Sequence, residues 1–280
     1  MKFGICCGID SAIQALDLGA EYIELGAVAF NGLEPDWNPL PFVGVPIETT
    51  NVFFPGAIKL FGPERTPYEE YAKRAIDRAA EVGVKIMVVG SGVSRRAPEG
   101  SDPATMDAEF ADIVANMQRI ASPYGIAMAP ESLTRLETNV GNDLGRLARL
   151  LKERGVAYTA DSFHVLKEWE FDTQAEGRGT RDEGRGVKDL GSAQRGEGRG
   201  TTDDGPSAAH WAEQIPFAPA HIHIGDLPRN YPKAADPMMQ GFARRIKELG
   251  YDGRISLECS LGELSTGLPS ALKELRTLFG

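Results

Sequence analysis

Histidine and cysteine are scarce in this chain. Four histidines occur in 280 residues, at positions 164, 210, 221 and 223, and none lies in the first half. A metal centre rich in imidazoles from early strands is therefore excluded. The three cysteines are an odd number, and Cys6 and Cys7 are adjacent, which makes a poor disulfide framework. Reduced thiols and a cytoplasmic location are the expectation. No apolar run approaches the roughly 18 residues of a membrane span. The opening MKFGICCGID is too short for a signal-peptide core and is interrupted by Asp10. Positive charge is also in deficit: the formal net charge is −10, with no local basic patch. That argues against a nucleic-acid partner or an acidic membrane surface. Finally, no GxGxxG follows any apolar run, so a dinucleotide-binding fold has no positive support.

What the chain does contain is a rhythm. Hydrophobic residues make up 42% of it, enough for a large core. Short apolar runs read as strands at 2–7, 22–25, 43–51, 84–89, 126–129, 156–160, 220–224 and 254–257. Helical spacing fills the gaps. Asp10 is expected to cap a helix from Ser11 to Leu18. Thr66-Pro67-Tyr68-Glu69 reads as a capping box opening a helix that Gly83 stops. Further helices are expected at 103–121, 142–154, 238–249 and 269–278. Eight strands alternating with helices through right-handed crossovers most simply close into a (β/α)8 barrel, an α/β TIM barrel of one domain over 1–280. A doubly wound open sheet is the alternative.

One segment breaks the rhythm. Residues 170–207 carry EGRG three times, at Glu176–Gly179, Glu183–Gly186 and Glu197–Gly200, with almost nothing apolar between Phe171 and Trp211. Such a composition buries too little surface to offset ordering, so a flexible insert after strand six is expected. Arg-Gly repeats can bind RNA, but acidic residues outnumber basic ones there. Without the insert the chain has roughly 240 residues, close to the usual size of a single barrel. Following strand six, the insert leaves the face where a barrel carries its site, a place suited to a lid.

Four consecutive strands end on residues that bind metals. Glu131 follows the run IAMA, Asp161 ends VAYTAD, His223 lies in AHIHIGD, and Glu258 ends ISLE. In a parallel barrel these C-terminal ends converge on one rim. Three carboxylates that meet there raise one another's pKa unless a cation removes the penalty. Oxygen-rich ligation with one imidazole favours Mn²⁺, with Mg²⁺ or Co²⁺ as alternatives. Of the two strand-seven histidines, His223 lies nearer the strand end and is assigned inward. His221 is expected to point away from the barrel centre, as packing or behind the site. His210 reads as a surface residue and Cys259 as core.

These pieces carry a resemblance. Glu131 is followed by Glu137 six residues on, Asp161-Ser162-Phe163-His164 forms D-x-x-H, Arg229 lies six beyond His223, and Glu258 closes strand eight. In these features the chain resembles the xylose isomerase-like TIM barrels, in the sugar isomerase/epimerase branch that includes D-tagatose 3-epimerases and hydroxypyruvate isomerases. The resemblance implies that Glu131, Asp161, His223 and Glu258 bind the metal, and that Glu131 and Glu258 also move protons. Glu137, His164 and Arg229 would hold the hydroxyls of a small keto-sugar substrate. The implied reaction is isomerisation or epimerisation by carboxylate proton transfer through a metal-stabilised enediolate, in a homodimer or homotetramer. Ser132 and Thr134 stand where the family has Pro and Asn, and Asp226 and Pro228 alter the approach to Arg229, which bears on substrate identity. A metal-dependent sugar or inosose dehydratase, a non-catalytic sugar-binding barrel and an apurinic-site endonuclease are the competing readings. The endonuclease needs histidines this chain lacks.

Deleting Gln174–Asp204 is expected to shift the melting temperature by less than about 2 °C, because the segment adds little buried apolar surface. A thermal melt followed by circular dichroism checks this.

Overall fold

The structure is a computed structural model that describes residues 1–171 and 213–280. The EGRG segment and His210 lie outside the described residues. Eight short strands, all parallel, form one sheet: β1 Lys2–Cys6, β2 Tyr22–Gly26, β3 Ile47–Asn51, β4 Ile86–Val89, β5 Ala127–Pro130, β6 Thr159–Asp161, β7 His221–Ile224 and β8 Arg254–Leu257. Their order is β5-β4-β3-β2-β1-β8-β7-β6. The two edges, β5 and β6, meet through a parallel bridge between Glu131 and Thr159. Thr159 Oγ1 also donates to the Ala129 carbonyl across this seam at 2.8 Å. The eight strands thus make a nearly closed TIM barrel.

Helices α1 Ile9–Asp17, α2 Glu69–Glu81, α3 Pro103–Ala121, α4 Leu144–Glu153, α5 (162–171), α6 Pro237–Glu248 and α7 Leu264–Phe279 lie between and after the strands. Helix α3 matches its expected bounds because its start is doubly fixed. Pro103 sits at the first helical position, and Asp102 accepts from Thr105 N at 2.9 Å. Helix α4 is capped alike: Asp143 accepts from Arg146 N at 2.8 Å, and Leu144, Leu147, Ala148 and Leu151 bury one face.

Other expectations need correction. Helix α1 starts from Gly8, and Asp10 lies in the first turn without capping. Its charge still favours the positive end of the helix dipole. The Thr66 capping box does not form. Thr66 Oγ1 accepts from Lys59 N at 3.4 Å and donates to the Glu64 carbonyl at 3.3 Å, so the helix begins three residues later. Strand β3 begins at Ile47 because Leu40–Phe42 form a 3₁₀ turn and Gly44 takes φ +80°. Helix α7 begins at Leu264 and accommodates Pro269 in its second turn, forgoing the bond from residue 269 to the Ser265 carbonyl. Residues 170 and 171, expected in the insert, are helical and belong to α5.

The main core lies between strands and helices, where Phe53, Phe110, Leu147, Ile222 and Phe242 are fully buried. Inside the barrel the filling is small: Ile86, Val88 and Ala129 with Ala127, Ala157 and Ala220. Tyr22 fills part of this interior, with its ring where a side chain on Gly4 would sit, and its hydroxyl meets Ser256 Oγ at 2.8 Å. A register shift separates Ile47 from Thr49. Residues two apart would ordinarily share a face. The bulge lets Ile47 join the outer core while Thr49 turns inward to Glu24. Among the described residues no helix is long and apolar enough to cross a membrane.

Asp143→Ala is expected to cost about 1 kcal/mol of unfolding free energy through loss of the α4 cap. Urea denaturation, with an unchanged slope and a lower midpoint, is the check.

Candidate metal centre

The parallel strands deliver their last inward residues to one rim. Glu131 follows β5, Asp161 ends β6, His223 lies near the end of β7 and Glu258 follows β8. One ligand atom from each of the four lies within 4.8 Å of the others. His223 Nδ1 is central: it is 3.0 Å from Glu131 Oε2, 3.1 Å from Glu258 Oε2 and 4.0 Å from Asp161 Oδ2. Glu131, Asp161 and His223 are buried, while Glu258 keeps some exposure.

The charges define what the cluster needs. Burial, then the neighbouring Glu258 and Glu131 carboxylates, push the Asp161 carboxyl well above its usual range. Burial also opposes charge on Glu258, but His223 and Arg229 outweigh it and bring that carboxyl down to about 2. Burial would lower His223, yet Glu24, Glu258 and Glu131 raise it well above a free imidazole. Asp161 divides its oxygens. Its Oδ1 accepts from Phe163 N at 2.7 Å and His164 N at 3.4 Å, at the start of α5. Its Oδ2 is buried with no hydrogen-bond partner. An orphaned carboxylate oxygen beside two more carboxylates and an imidazole nitrogen fits a divalent cation by position and donor chemistry.

The remaining expected residues stand on the outer side of this cluster. Arg229 Nη2 lies 2.9 Å from Glu258 Oε2 and 3.8 Å from Asp161 Oδ2, and its Nη1 lies 4.0 Å from Glu137 Oε1. Its guanidinium stacks 4.6 Å over the Phe163 ring. His164 Nδ1 is 3.8 Å from Glu137 Oε1, and its Nε2 is 3.5 Å from Asp161 Oδ2. Burial first, and Arg229 next, bring His164 down to about 3, so its ring is neutral. Burial raises Glu137, against the pull of Arg229. A cavity of about 340 Å³ opens onto Glu131, Glu137, His164, Arg229 and Glu258, with Phe54, Val93 and Leu133 as an apolar wall. Among the described residues four non-glycine residues have positive φ: Asn31, Val52, Ser91 and Arg229. The last three line this cavity. Strained backbone gathers where a structure must aim groups at a ligand.

One expectation fails, and residues that were not expected appear. His221 does not point away from the barrel centre. Residues i and i+2 of a strand share a face, so the pair must turn inward together. Both imidazoles reach the buried carboxylate of Glu24: His221 Nε2 meets Oε2 at 2.7 Å and His223 Nε2 meets Oε1 at 2.6 Å. Thr49 Oγ1 donates to Oε2 at 2.8 Å. Burial opposes charge on Glu24 too, but His223 and His221 outweigh it and hold its carboxyl well below the usual range. Asn51 Nδ2 donates to Glu258 Oε1 at 3.3 Å. The available signal for Glu24 was a lone acid inside the apolar strand Tyr-Ile-Glu-Leu, inward by the same alternation that places Tyr22. Arg95, fully buried, donates from Nη1 to the Glu131 carbonyl at 2.9 Å and so braces that ligand's backbone.

Gly90 sets a further constraint, because a Cβ there would clash with Glu131 Oε1. Gly90→Ala is therefore expected to displace the Glu131 carboxylate and to weaken any divalent-cation binding at this cluster by at least about tenfold, about 1.4 kcal/mol. The clash is with the end of a flexible side chain, so the melting temperature should change little. Isothermal titration beside a thermal melt checks both.

The comparisons with known proteins agree with this architecture. The family model described as xylose isomerase-like TIM barrel matches residues 44–278. The sequence matches no curated protein. Among solved structures, a D-psicose 3-epimerase in the presence of D-fructose is 15% identical with a TM-score of 0.73, covering 100% of both chains. The 3-keto-D-glucoside 4-epimerase YcjR from E. coli is 15% identical with a TM-score of 0.67, covering 99% of each chain. The IolI protein with a bound zinc atom is 15% identical with a TM-score of 0.61, covering 99% of this chain and 96% of that one. At these identities the structures speak for the fold, and the family model covers most of the sequence: the chain belongs to the xylose isomerase-like TIM barrel family.

Proposed function

We propose that this chain is a divalent-metal-dependent isomerase or epimerase of a small keto sugar, with Glu131 and Glu258 as the proton-transferring groups. The observation that carries this reading is their convergence. They rise from β5 and β8, lie 3.0 and 3.1 Å from the same His223 nitrogen, and open onto one cavity. Carboxylates from two sides of a barrel can address two faces of one substrate carbon. One removes the proton from the carbon beside the carbonyl; the C–H electron pair becomes the carbon–carbon double bond and the carbonyl π pair moves onto oxygen, giving an enediolate. Return of a proton on the opposite face inverts that carbon, which is epimerisation. Return at the neighbouring carbon exchanges aldose and ketose.

A divalent cation held by Glu131, Asp161, His223 and Glu258 would supply Lewis-acid stabilisation of that developing negative charge. Mn²⁺ is our choice for this oxygen-rich donor set; the bound zinc of the IolI protein concerns that protein and is compatible with a divalent site of this fold. The other roles follow from what each side chain faces. Glu258, down at about 2, is ionised throughout the neutral range. His164 is neutral, and its buried Nδ1 has no hydrogen-bond partner, so it has a position to offer a substrate hydroxyl. Arg229 supplies a fixed donor to a substrate oxygen, and Glu137 an acceptor across from it. Phe54, Val93 and Leu133 face the carbon skeleton and exclude water. IolI and the epimerases above are reasons to test sugars first.

The test is exchange of carbon-bound hydrogen with D₂O, read by NMR, across a panel of C3–C6 ketoses with Mn²⁺ present. Exchange with a new stereocentre or a shifted carbonyl is the expected result. Loss of water without exchange would point to a dehydratase, and no change in any ketose would overturn the proposal. Glu258→Gln is expected to reduce exchange by at least about 10²-fold; full retained turnover would remove Glu258 from the mechanism.

A further inference from the structure

We infer that Glu24 is a positioning residue: it fixes the ring of His223 with Nε2 as the protonated nitrogen, so that Nδ1 presents its lone pair to the cation site. The inference rests on the reading of Glu131, Asp161, His223 and Glu258 as ligands. Imidazole binds a metal through one nitrogen only in the tautomer that leaves that nitrogen bare, and the partner of the other nitrogen selects the tautomer. Here the two nitrogens of His223 face different chemistry. Nδ1 faces the rim carboxylates Glu131, Glu258 and Asp161. Nε2 faces inward to Glu24 Oε1 at 2.6 Å. A carboxylate can only accept, so this contact requires a proton on Nε2. The rim carboxylates likewise hold a proton on Nδ1 while they alone face it, and a cation bound there would replace that proton and leave Nε2–H to Glu24.

Glu24 is itself held. Its Oε2 takes His221 Nε2 at 2.7 Å and Thr49 Oγ1 at 2.8 Å, so both oxygens are used and the carboxylate cannot rotate away. The side chain is fully buried. The β3 bulge brings Thr49 to this oxygen. His221 then has a role other than packing: it donates to Glu24 and leaves Oε1 to His223. His221 Nδ1 has no partner, so a single donated bond defines that ring.

A competing arrangement uses the same atoms. Cys6, Glu24 and His223 also lie close enough to hold a cation. Both oxygens of Glu24 already accept hydrogen bonds, however, and the nitrogen that His223 turns towards Glu24 is itself engaged there, so neither side chain has an atom left over for a cation on that side. The geometry assigns Glu24 to the support of His223.

Zn²⁺ is the probe, because it is diamagnetic and its binding is read without turnover. Long-range ¹H–¹⁵N correlation of histidine-labelled, Zn²⁺-loaded wild-type protein is expected to show a metal-shifted Nδ1 and a protonated Nε2 on His223. Glu24→Gln keeps the shape but loses the charge, and gives one of the two histidines a donor where it needs an acceptor. This variant is expected to bind Zn²⁺ about 10–100-fold more weakly in isothermal titration while retaining its fold. Coordination through Nε2, or Zn²⁺ affinity unchanged in Glu24→Gln, would overturn the inference and leave the proposed function intact. Absence of Zn²⁺ binding to the wild type would overturn both. Should Glu24→Gln fail to fold, the wild-type spectrum alone decides.

Discussion

Repulsion among three carboxylates at the dry end of a parallel barrel is the constraint on which the rest of this structure depends. Like charges about 4 Å apart cost about 4 kcal/mol at an effective dielectric near 20, and burial raises the cost further. The chain answers with positive groups from two sides. His223 comes from beneath, carried on β7, and Arg229 from the solvent side, carried on the loop that follows. Asp161 is the carboxylate left with an unanswered oxygen. The architecture is consistent with a place made for a cation, where protein groups balance most of the charge and leave one vertex open.

Precision at that place is secured by groups outside the cluster that hold its members. Arg95 grips the Glu131 backbone, Asn51 holds one oxygen of Glu258, and the first turn of α5 takes one oxygen of Asp161. Backbone strain is spent nearby: Val52, Ser91 and Arg229 all adopt left-handed φ values around one cavity. Such conformations cost roughly 1–3 kcal/mol each and persist only where neighbours enforce them. For Arg229 the neighbours are explicit. Its N–H donates to Asp226 O at 2.6 Å, and its carbonyl accepts from Ser260 N at 2.7 Å.

Much of this was legible in the sequence, for identifiable reasons. Strand-end residues announce themselves when an apolar run stops on a carboxylate, as at Glu131, Asp161 and Glu258. Helix α3 was readable to the residue because proline and an Asp cap fix its start. The misses have physical causes too. Thr66 had the residue pattern of a cap, but its hydroxyl is consumed by Lys59 and Glu64 in a preceding loop. Strand β3 looked longer because Val43 and Val45 continue its apolar run, although Gly44 between them takes φ +80° and turns the chain. A lone acid in an apolar strand marks Glu24 as inward, but its role was not legible because its partners lie 25, 197 and 199 residues away. His221 was legible by strand periodicity, which places it beside His223.

The seam between β5 and β6 joins two otherwise separate matters. These strands stand at the two ends of the strand order, and the bridge that joins them runs through Glu131 itself. A residue that closes the sheet is thereby also one that faces the site. Binding and closure are then thermodynamically linked: any ligand that requires Glu131 in place binds only the closed cylinder and stabilises it by RT ln(1 + [L]/Kd). The bridge that closes the cylinder and the carboxylate cluster at its rim share one amino acid, so whatever holds Glu131 in place also holds the seam.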